Sequence, residues 1–505
     1  MMIFGFLRQN LKTQAVAVAF SIAWLEAEVE PEVTGDPVQA RDRLACFREE
    51  LYRCLASRAD ELFELCDGVL CADGAVKTLV GLSLVPEHRR GHGALYDGLN
   101  HGRIHIAALS VALAAITLPR LAGRIALAID VTPWLRPDAA TSPDRLFCHV
   151  HGRRKDEHLL IPGWPYSMVA ALEQGRTSWT RLLDARRLLP DDDEAAVTAA
   201  QVRSVVLRII GSGQWQPGDA GILLVFDAGY DLARLSFLLG DLPVQVLGRL
   251  RSDRVMGRMP PPRLPGTNGR PARHGGAFKF SDPATWGAPD AATVTATTWW
   301  GKAEALAFDA LHPRLTHRAA WIGHDGELPV LAGTVIRLTV ERLPGDASPQ
   351  PMWLWTDRTG LSADLIDRCW QAYLRRFDLE HTFRFLKQTL GWTAPQLRDP
   401  AAADTWTWLI LAAYAQLWLS RHLTKDLRRP WEKPAQPGRL TPARVRRGFR
   451  HLRQTTTRPA SAPKPSRPGP GRPKGSKNKI TARRHEPGKT TKRDISLKQR
   501  REREG

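Results

Sequence analysis

The sequence is sparing with cysteine, short of acidic residues and without a membrane-length apolar segment near its N-terminus. Six cysteines (Cys46, Cys54, Cys66, Cys71, Cys148 and Cys369) are spread over 505 residues. They lack the spacing of a disulfide framework, which suits a reducing compartment. Cys148-His149-Val150-His151 offers ligand types for zinc. No CxxC pair stands elsewhere to complete a tetrahedral site, so these residues are read as structural or incidental. The apolar run at residues 15–25, broken only by Ser21, is shorter than the about 20 residues of a spanning helix. Glu26, Glu28 and Glu30 follow it where a secretory signal would place small residues. The expectation is a cytoplasmic protein with no membrane partner. Residues 1–39 are read as an N-terminal extension whose place in the natural protein the sequence leaves open.

What the chain has in excess is positive charge. Lys and Arg number 72 against 52 Asp and Glu, a net of +20 with a pI near 10.2. Such a surplus favours a polyanionic partner, nucleic acid above all, without by itself indicating an enzyme. A chain of 505 residues is too long for one ordinary core and predicts several domains. Residues 40–115 read as a helical domain, from Ala45, Leu51, Cys54, Leu55, Leu62 and Leu65 near helical spacing. With its basic loop at His88-Arg89-Arg90-Gly91-His92-Gly93, it is either a DNA-end-binding domain or a packing domain.

From residue 116 the pattern becomes α/β. Residues 125–129 and 221–226 are short continuous apolar runs, the mark of buried strands, and end at Asp130 and Asp227. Further strands are expected at 157–161, 179–183 and 244–250, and helices at 191–210 and 231–239. Residues 116–249 thus read as the first part of a catalytic core. Residues 250–357, rich in Pro, Gly, Trp and Thr, read as a β-rich insertion. Residues 358–425 resume the core, with Ser362 as N-cap of a helix running toward Leu390 and Asp404 capping another. Residues 426–505 read as a basic disordered tail. Within them, positions 451–505 hold 17 Lys and Arg against 4 Asp and Glu, a net of +13, with few large apolar residues.

Asp130 and Asp227 each close a buried strand, so neighbouring strands would bring two carboxylates to one sheet edge. Such a pair repels unless a cation or proton lies between, and hard oxygen ligands suit magnesium or manganese. An Asp after a strand is also an ordinary loop or helix cap. The predicted helix adds Tyr373, Arg376, Glu380 and Lys387. At ~100° per residue they span an arc of about 60°, flanked by Phe377 and Phe383. The plain alternative is a row of ion pairs on an exposed helix.

Tyr373-x2-Arg376-x3-Glu380-x6-Lys387, together with Asp130 and Asp227-Ala228-Gly229-Tyr230, resembles the insertion-sequence transposases of the DDE superfamily. The resemblance is to the cut-and-paste branch with the Tyr-Arg-Glu-Lys signature, and it covers roughly residues 121–423. It implies an RNase H-like core with Asp130, Asp227 and Glu380 as catalytic residues and metal ligands for two Mg2+ (or Mn2+) ions. It implies phosphate contacts by Tyr373, Arg376 and Lys387, double-stranded DNA (transposon ends and target) as partner, a hairpin intermediate, and a homodimer or higher assembly on DNA. Gly229-Tyr230 departs from the Arg-containing turn common after the second Asp. Trp299, Trp300 and Trp321 in the insertion are candidate platforms for a flipped base, although buried core tryptophan is the commoner fate. Pro470-Gly471-Arg472-Pro473-Lys474-Gly475 resembles an AT-hook, with Arg472 and Lys474 as DNA-binding residues. The rival readings are another RNase H-like nuclease, a catalytically silent DNA-binding relic or repressor of the same fold, and, least suited to +20, a glycosidase using paired carboxylates.

Overall fold

In the computed structural model of the chain, the described residues are 37–151, 158–175, 177–262, 269–270, 272–297, 301–342, 349–436, 439–464, 475 and 481–488. The apolar run 15–25, Trp299, Trp300, Arg472 and Lys474 lie outside them. Among the described residues no helix is long and apolar enough to cross a membrane.

Four helices of ten residues or more come first, with a single helical turn at Leu79–Leu82 among them: α1 (Pro37–Cys54), α2 (Ala59–Cys71), α3 (His92–His101) and α4 (Ile106–Ala115). In α1 the buried Leu44, Phe47, Leu51 and Cys54 recur at three- and four-residue steps, which puts them on one face. That face joins the same apolar core as the later helices.

The sheet begins with β1 (Ala126–Leu135), β2 (Leu146–His151), β3 (His158–Leu172) and β4 (Thr180–Arg187). Helix α5 (Glu194–Gly211) follows, its N-terminal N–H groups capped by the Asp193 carboxylate. Then come β5 (Ile222–Phe226), α6 (Leu232–Leu238) and β6 (Val244–Leu250). These strands lie in the order β4-β3-β1-β5-β6, with β2 on the outer half of β3. β1, β5 and β6 run parallel, while β3 is antiparallel to β1 and β4 to β3. This is the order of an RNase H-like sheet. β5 contains only apolar residues, all buried, because both its faces are covered. Ile222, Leu224 and Phe226 meet α5 through Val202, Val206 and Ile209. Leu223 and Val225 face the core of the later helices.

β3 is far longer than the strand expected at 157–161. It carries Pro162 and Pro165, and Pro165 lies opposite Pro133 in the ladder. The two missing N–H groups therefore fall at one register position, where neither strand loses a donor the other needs.

Residues 250–357 extend this sheet instead of forming a separate layer. They contribute β7 (Val255–Arg258), β8 (Ala277–Lys279), β9 (Ala291–Thr297), β10 (Gly301–Pro313), β11 (Gly333–Val340) and β12 (Met352–Thr356). β12 pairs antiparallel with β6, from Trp353 opposite Leu250 to Thr356 opposite Leu247. These twelve strands thus form one sheet, and a small two-stranded pairing of Leu55–Ser57 with Arg103–Ile104 lies apart from it.

The chain closes with α7 (Ala363–Arg375), α8 (Phe377–Gln388), α9 (Pro400–Ser420) and α10 (Pro442–Arg453). Ser362 caps α7, accepting from the Leu365 N–H. The expected single helix toward Leu390 is stepped at Arg376. There the Arg376 N–H donates to Tyr373 O and the Leu379 N–H to Arg376 O, a three-residue tightening within helical backbone. The cap of α9 is Asp399, with Pro400 in the first turn. Asp404 instead lies inside the helix and accepts from the Tyr166 hydroxyl at 2.7 Å and from Arg187. Pro at the first helical position needs no N–H, which is why the helix starts there and not four residues later.

The expected start of the disordered tail at 426 is also corrected. α10 is folded and buries Val445, Phe449 and Leu452, a helical stripe hidden in a strongly basic composition. Beyond it, Thr457 O accepts from Arg48, Ala460 O from Arg89, and Ser461 O from Arg89 and Arg90. Residues 481–488 return to the sheet, where the Gly488 N–H donates to Arg145 O and the His485 N–H to Ala140 O. Ending the chain after Lys464 removes only the second attachment, whereas ending it after Gln454 removes both. The shorter chain is therefore expected to melt measurably below the longer one in a thermal scan. Coincident melts would show that residues 455–464 add nothing to the fold.

Candidate active site

β1 pairs with β5 only from Ala126 opposite Leu223 to Ile129 opposite Phe226. β5 pairs with β6 as far as Phe226 opposite Gly248. The next residue on each parallel strand is Asp130, Asp227 and Arg249. Register alone therefore sets two carboxylates and a guanidinium side by side at one level of the sheet. Such carboxyl ends of parallel strands are where open α/β sheets place their chemistry.

α7 and α8 deliver the rest. Ala126 and Ala128 on the facing side of β1 are small and fully buried, which lets the helices approach closely. Arg376, at the step between them, is 2% exposed, and its guanidinium stands among three carboxylates. Nη1 donates to Asp130 Oδ2 at 2.8 Å, and Nη2 lies 3.3 Å from Asp227 Oδ2 and 3.8 Å from Glu380 Oε1. The Tyr373 hydroxyl, on a residue 1% exposed, donates to Asp227 Oδ1 at 3.0 Å. The Val131 N–H donates to Asp130 Oδ1 at 2.8 Å. The carboxylates themselves keep access to solvent, Asp130 at 20%, Glu380 at 33% and Asp227 at 39%.

The electrostatics follow from this placement. Burial pushes the Asp130 carboxyl up to about 6, against the pull of Arg376 and with the help of Asp227. Burial likewise pushes Glu380 up to about 7. For Asp227, burial is outweighed by Arg376, the Ala228 N–H, Arg249 and the Tyr373 hydroxyl, which hold its carboxyl below the usual range. Burial works against the Arg376 charge, but Asp227 and Asp130 more than restore it. Lys387 lies on α8 with its Nζ 5.7 Å from the centre of the Trp392 ring, and burial lowers it to about 8.

The structure thus brings Asp130, Asp227, Glu380, Tyr373 and Arg376 together, with Lys387 about two turns beyond Glu380 along α8. Tyr373 and Arg376 face carboxylates, not solvent. Trp321 is buried, its ring against Phe237 and His324. Two residues escaped the sequence reading. Arg249 stands inside β6, which runs on to Leu250, so the strand-end rule that found the aspartates passes over it. The Tyr230 ring lies tilted against Phe226 at 5.1 Å between centres, and its buried hydroxyl has no hydrogen-bond partner among the described residues. The sequence marked it only as a departure after Asp227 and gave it no role. Among the described residues no three His, Cys, Asp or Glu side chains stand close enough together to hold one ion.

No curated protein matches the chain. A family model described as DDE superfamily endonuclease matches residues 50–304, a stretch that includes Asp130 and Asp227 and ends before α8. Members of that superfamily use divalent metal ions, and DNA is the substrate such a nuclease implies. With both strand-end aspartates inside a match that takes in half its length, the chain belongs to the family of DDE superfamily endonucleases.

Proposed function

We propose that the protein is a cut-and-paste transposase of the Tyr-Arg-Glu-Lys branch, cutting double-stranded DNA at the ends of an insertion sequence and joining it to target DNA. The observation that carries this is the convergence of Asp130, Asp227 and Glu380 on one buried guanidinium at the carboxyl ends of parallel strands. Three carboxylates form a hard-oxygen donor set that fits magnesium or manganese. Their grouping around a cation supports a site that requires positive charge. When bound there, two divalent ions supply Lewis acidity that polarises the scissile phosphate and activates the attacking hydroxyl.

The chain's own residues do the remaining work. Asp130 and Asp227 are fixed by the sheet register and Glu380 by α8. Tyr373 orients the Asp227 carboxylate through its hydroxyl. Lys387, a point charge on the same helix, holds a phosphate of the bent strand during hairpin formation. The surplus of basic residues binds DNA through phosphates, with Arg472 and Lys474 of the tail among them. The protein acts as a homodimer or higher assembly on DNA at the nucleoid.

The test is to incubate the full chain and Mg2+ with DNA carrying the coding segment and its natural flanks, then run denaturing gels. Cuts at both flanks with hairpin ends, followed by joining to a second DNA, are the expected products. Flush cuts without hairpins or joining would reduce the reading to a nuclease. Lys387→Ala is expected to leave the first nick within about threefold of the parent while hairpins fall about tenfold or more, as loss of one charge-assisted phosphate contact predicts. Equal loss at both steps would place Lys387 in general DNA affinity instead.

A further inference from the structure

Arg376 is surrounded in a way that a phosphate-binding residue does not require. Its side chain is 2% exposed and lies between Asp130 and Asp227, with Glu380 at the margin. Its Nε is buried with no hydrogen-bond partner among the described residues. Cation–π contacts to Phe377 at 4.9 Å and Tyr373 at 5.8 Å cover its remaining faces. The head group is therefore held by carboxylates and rings alone, and it occupies the point at which the three carboxylates aim. With it there, no three acidic side chains among the described residues stand close enough to ligate one ion.

We propose that Arg376 is the resident cation of this site: its guanidinium neutralises Asp130, Asp227 and Glu380 in the metal-free chain, and a divalent ion binds only by displacing it. The inference rests on reading these carboxylates as the metal site. The physical reason is competition. A divalent ion and a guanidinium near 4 Å apart repel by about 8 kcal/mol at an effective dielectric of 20, twice the value for two unit charges, so ion and guanidinium do not share the space. An uncompensated carboxylate trio is costly as well, so the fold needs one cation or the other. Displacement also frees Arg376 at the moment the site is loaded, when a bidentate donor can meet a substrate phosphate.

The test is calorimetric titration of the full chain with Mn2+ and with Ca2+, without DNA, alongside thermal melts. Arg376→Met is expected to melt below the parent without metal, to regain most of that loss when saturated, and to bind Mn2+ at least about tenfold more tightly. Equal or weaker Mn2+ affinity in a folded Arg376→Met would overturn the proposal. Should that variant fail to fold, the parent chain still decides. With arginine labelled by 15N, and the Arg376 Nε signal assigned by its loss in Arg376→Lys, that signal is expected to move during the Mn2+-free Ca2+ titration. A signal that stays fixed while Ca2+ binds would show that the guanidinium is not displaced. Absence of binding by the parent, with Asp130→Asn unchanged from it, would instead remove the metal-site reading on which the proposal rests.

Discussion

Asp130→Asn, Asp227→Asn and Glu380→Gln are each expected to lower metal-dependent DNA cleavage by about a thousandfold or more, with gel-shift affinity for DNA kept within about threefold. The amides keep the size of the side chains, so the sheet edge and α8 need not repack, and what is lost is one anionic ligand. Lewis-acid stabilisation by a bound ion is worth several kcal/mol, and each 1.36 kcal/mol is tenfold in rate, so loss of a ligand reaches that scale. Cleavage within tenfold of the parent by any one variant would remove that residue from the site. The metal-free stabilities should diverge in a way that separates chemistry from folding. Glu380, with its carboxyl raised from 4.5 to about 7, binds more protons folded than unfolded. Its contribution is therefore fully present below pH 4.5 and lost as pH rises toward 7. At pH 8 without metal, Glu380→Gln should melt at or above the parent while failing to cleave. Asp227, held low, has the opposite sign, so Asp227→Asn should melt below the parent at pH 8. Melts in the reverse order would contradict the charge arrangement around Arg376.

The site was legible where it depends on strand ends. Apolar runs closed by Asp130 and Asp227 locate two parallel strands and their carboxylates without knowledge of the sheet, and the spacing from Tyr373 to Lys387 locates the helical face. Direction was not legible. An arc on a helical wheel does not say whether Arg376 looks outward to phosphate or inward to acids. That was decided by the step at Arg376 and by the small Ala126 and Ala128 beneath it, features of packing and not of periodicity. Arg249 was missed because its strand does not end there: β6 continues to Leu250 alongside β12, so no turn signal followed it. The length of β3 was not legible, because Pro133 opposite Pro165 puts two residues without N–H at one register position and lets the strand run on past 161. Composition misled in residues 426–505. The charge average over a basic stretch hides Val445, Phe449 and Leu452, whose spacing alone carries the helix.

That hidden helix is held by the most consequential buried charge outside the site, and Asp67→Asn is expected to destabilise the fold by about 3–5 kcal/mol, the scale of breaking a buried ion pair. Asp67 lies on α2 and is 1% exposed. Its Oδ1 accepts from Arg48 Nη1 of α1 at 2.8 Å and its Oδ2 from Arg48 Nη2 at 3.1 Å and Arg453 Nε of α10 at 2.9 Å. Arg48 Nη1 also donates to Gln416 Oε1 of α9 at 2.6 Å, and its Nε to Thr457 O. One carboxylate thus serves two guanidiniums, and the three helices α1, α2 and α10 meet on it. Burial opposes the charge on Arg48, and Asp67 restores it above its ordinary value. An asparagine at 67 keeps the shape and one acceptor oxygen but removes the only negative charge these hydrogen bonds supply. Two arginines then remain buried at 0% and 4% side-chain exposure, and they must hydrate by opening the helices. Arg450→Ala provides the contrast. Its side chain, 30% exposed, pairs with the open Asp73 and with Glu87, so it should cost about 1 kcal/mol or less. Urea unfolding of the three proteins, followed by tryptophan fluorescence, measures both losses. A shift below about 1 kcal/mol for Asp67→Asn would mean that apolar packing of Val445 and Phe449 fixes α10 without the ionic network.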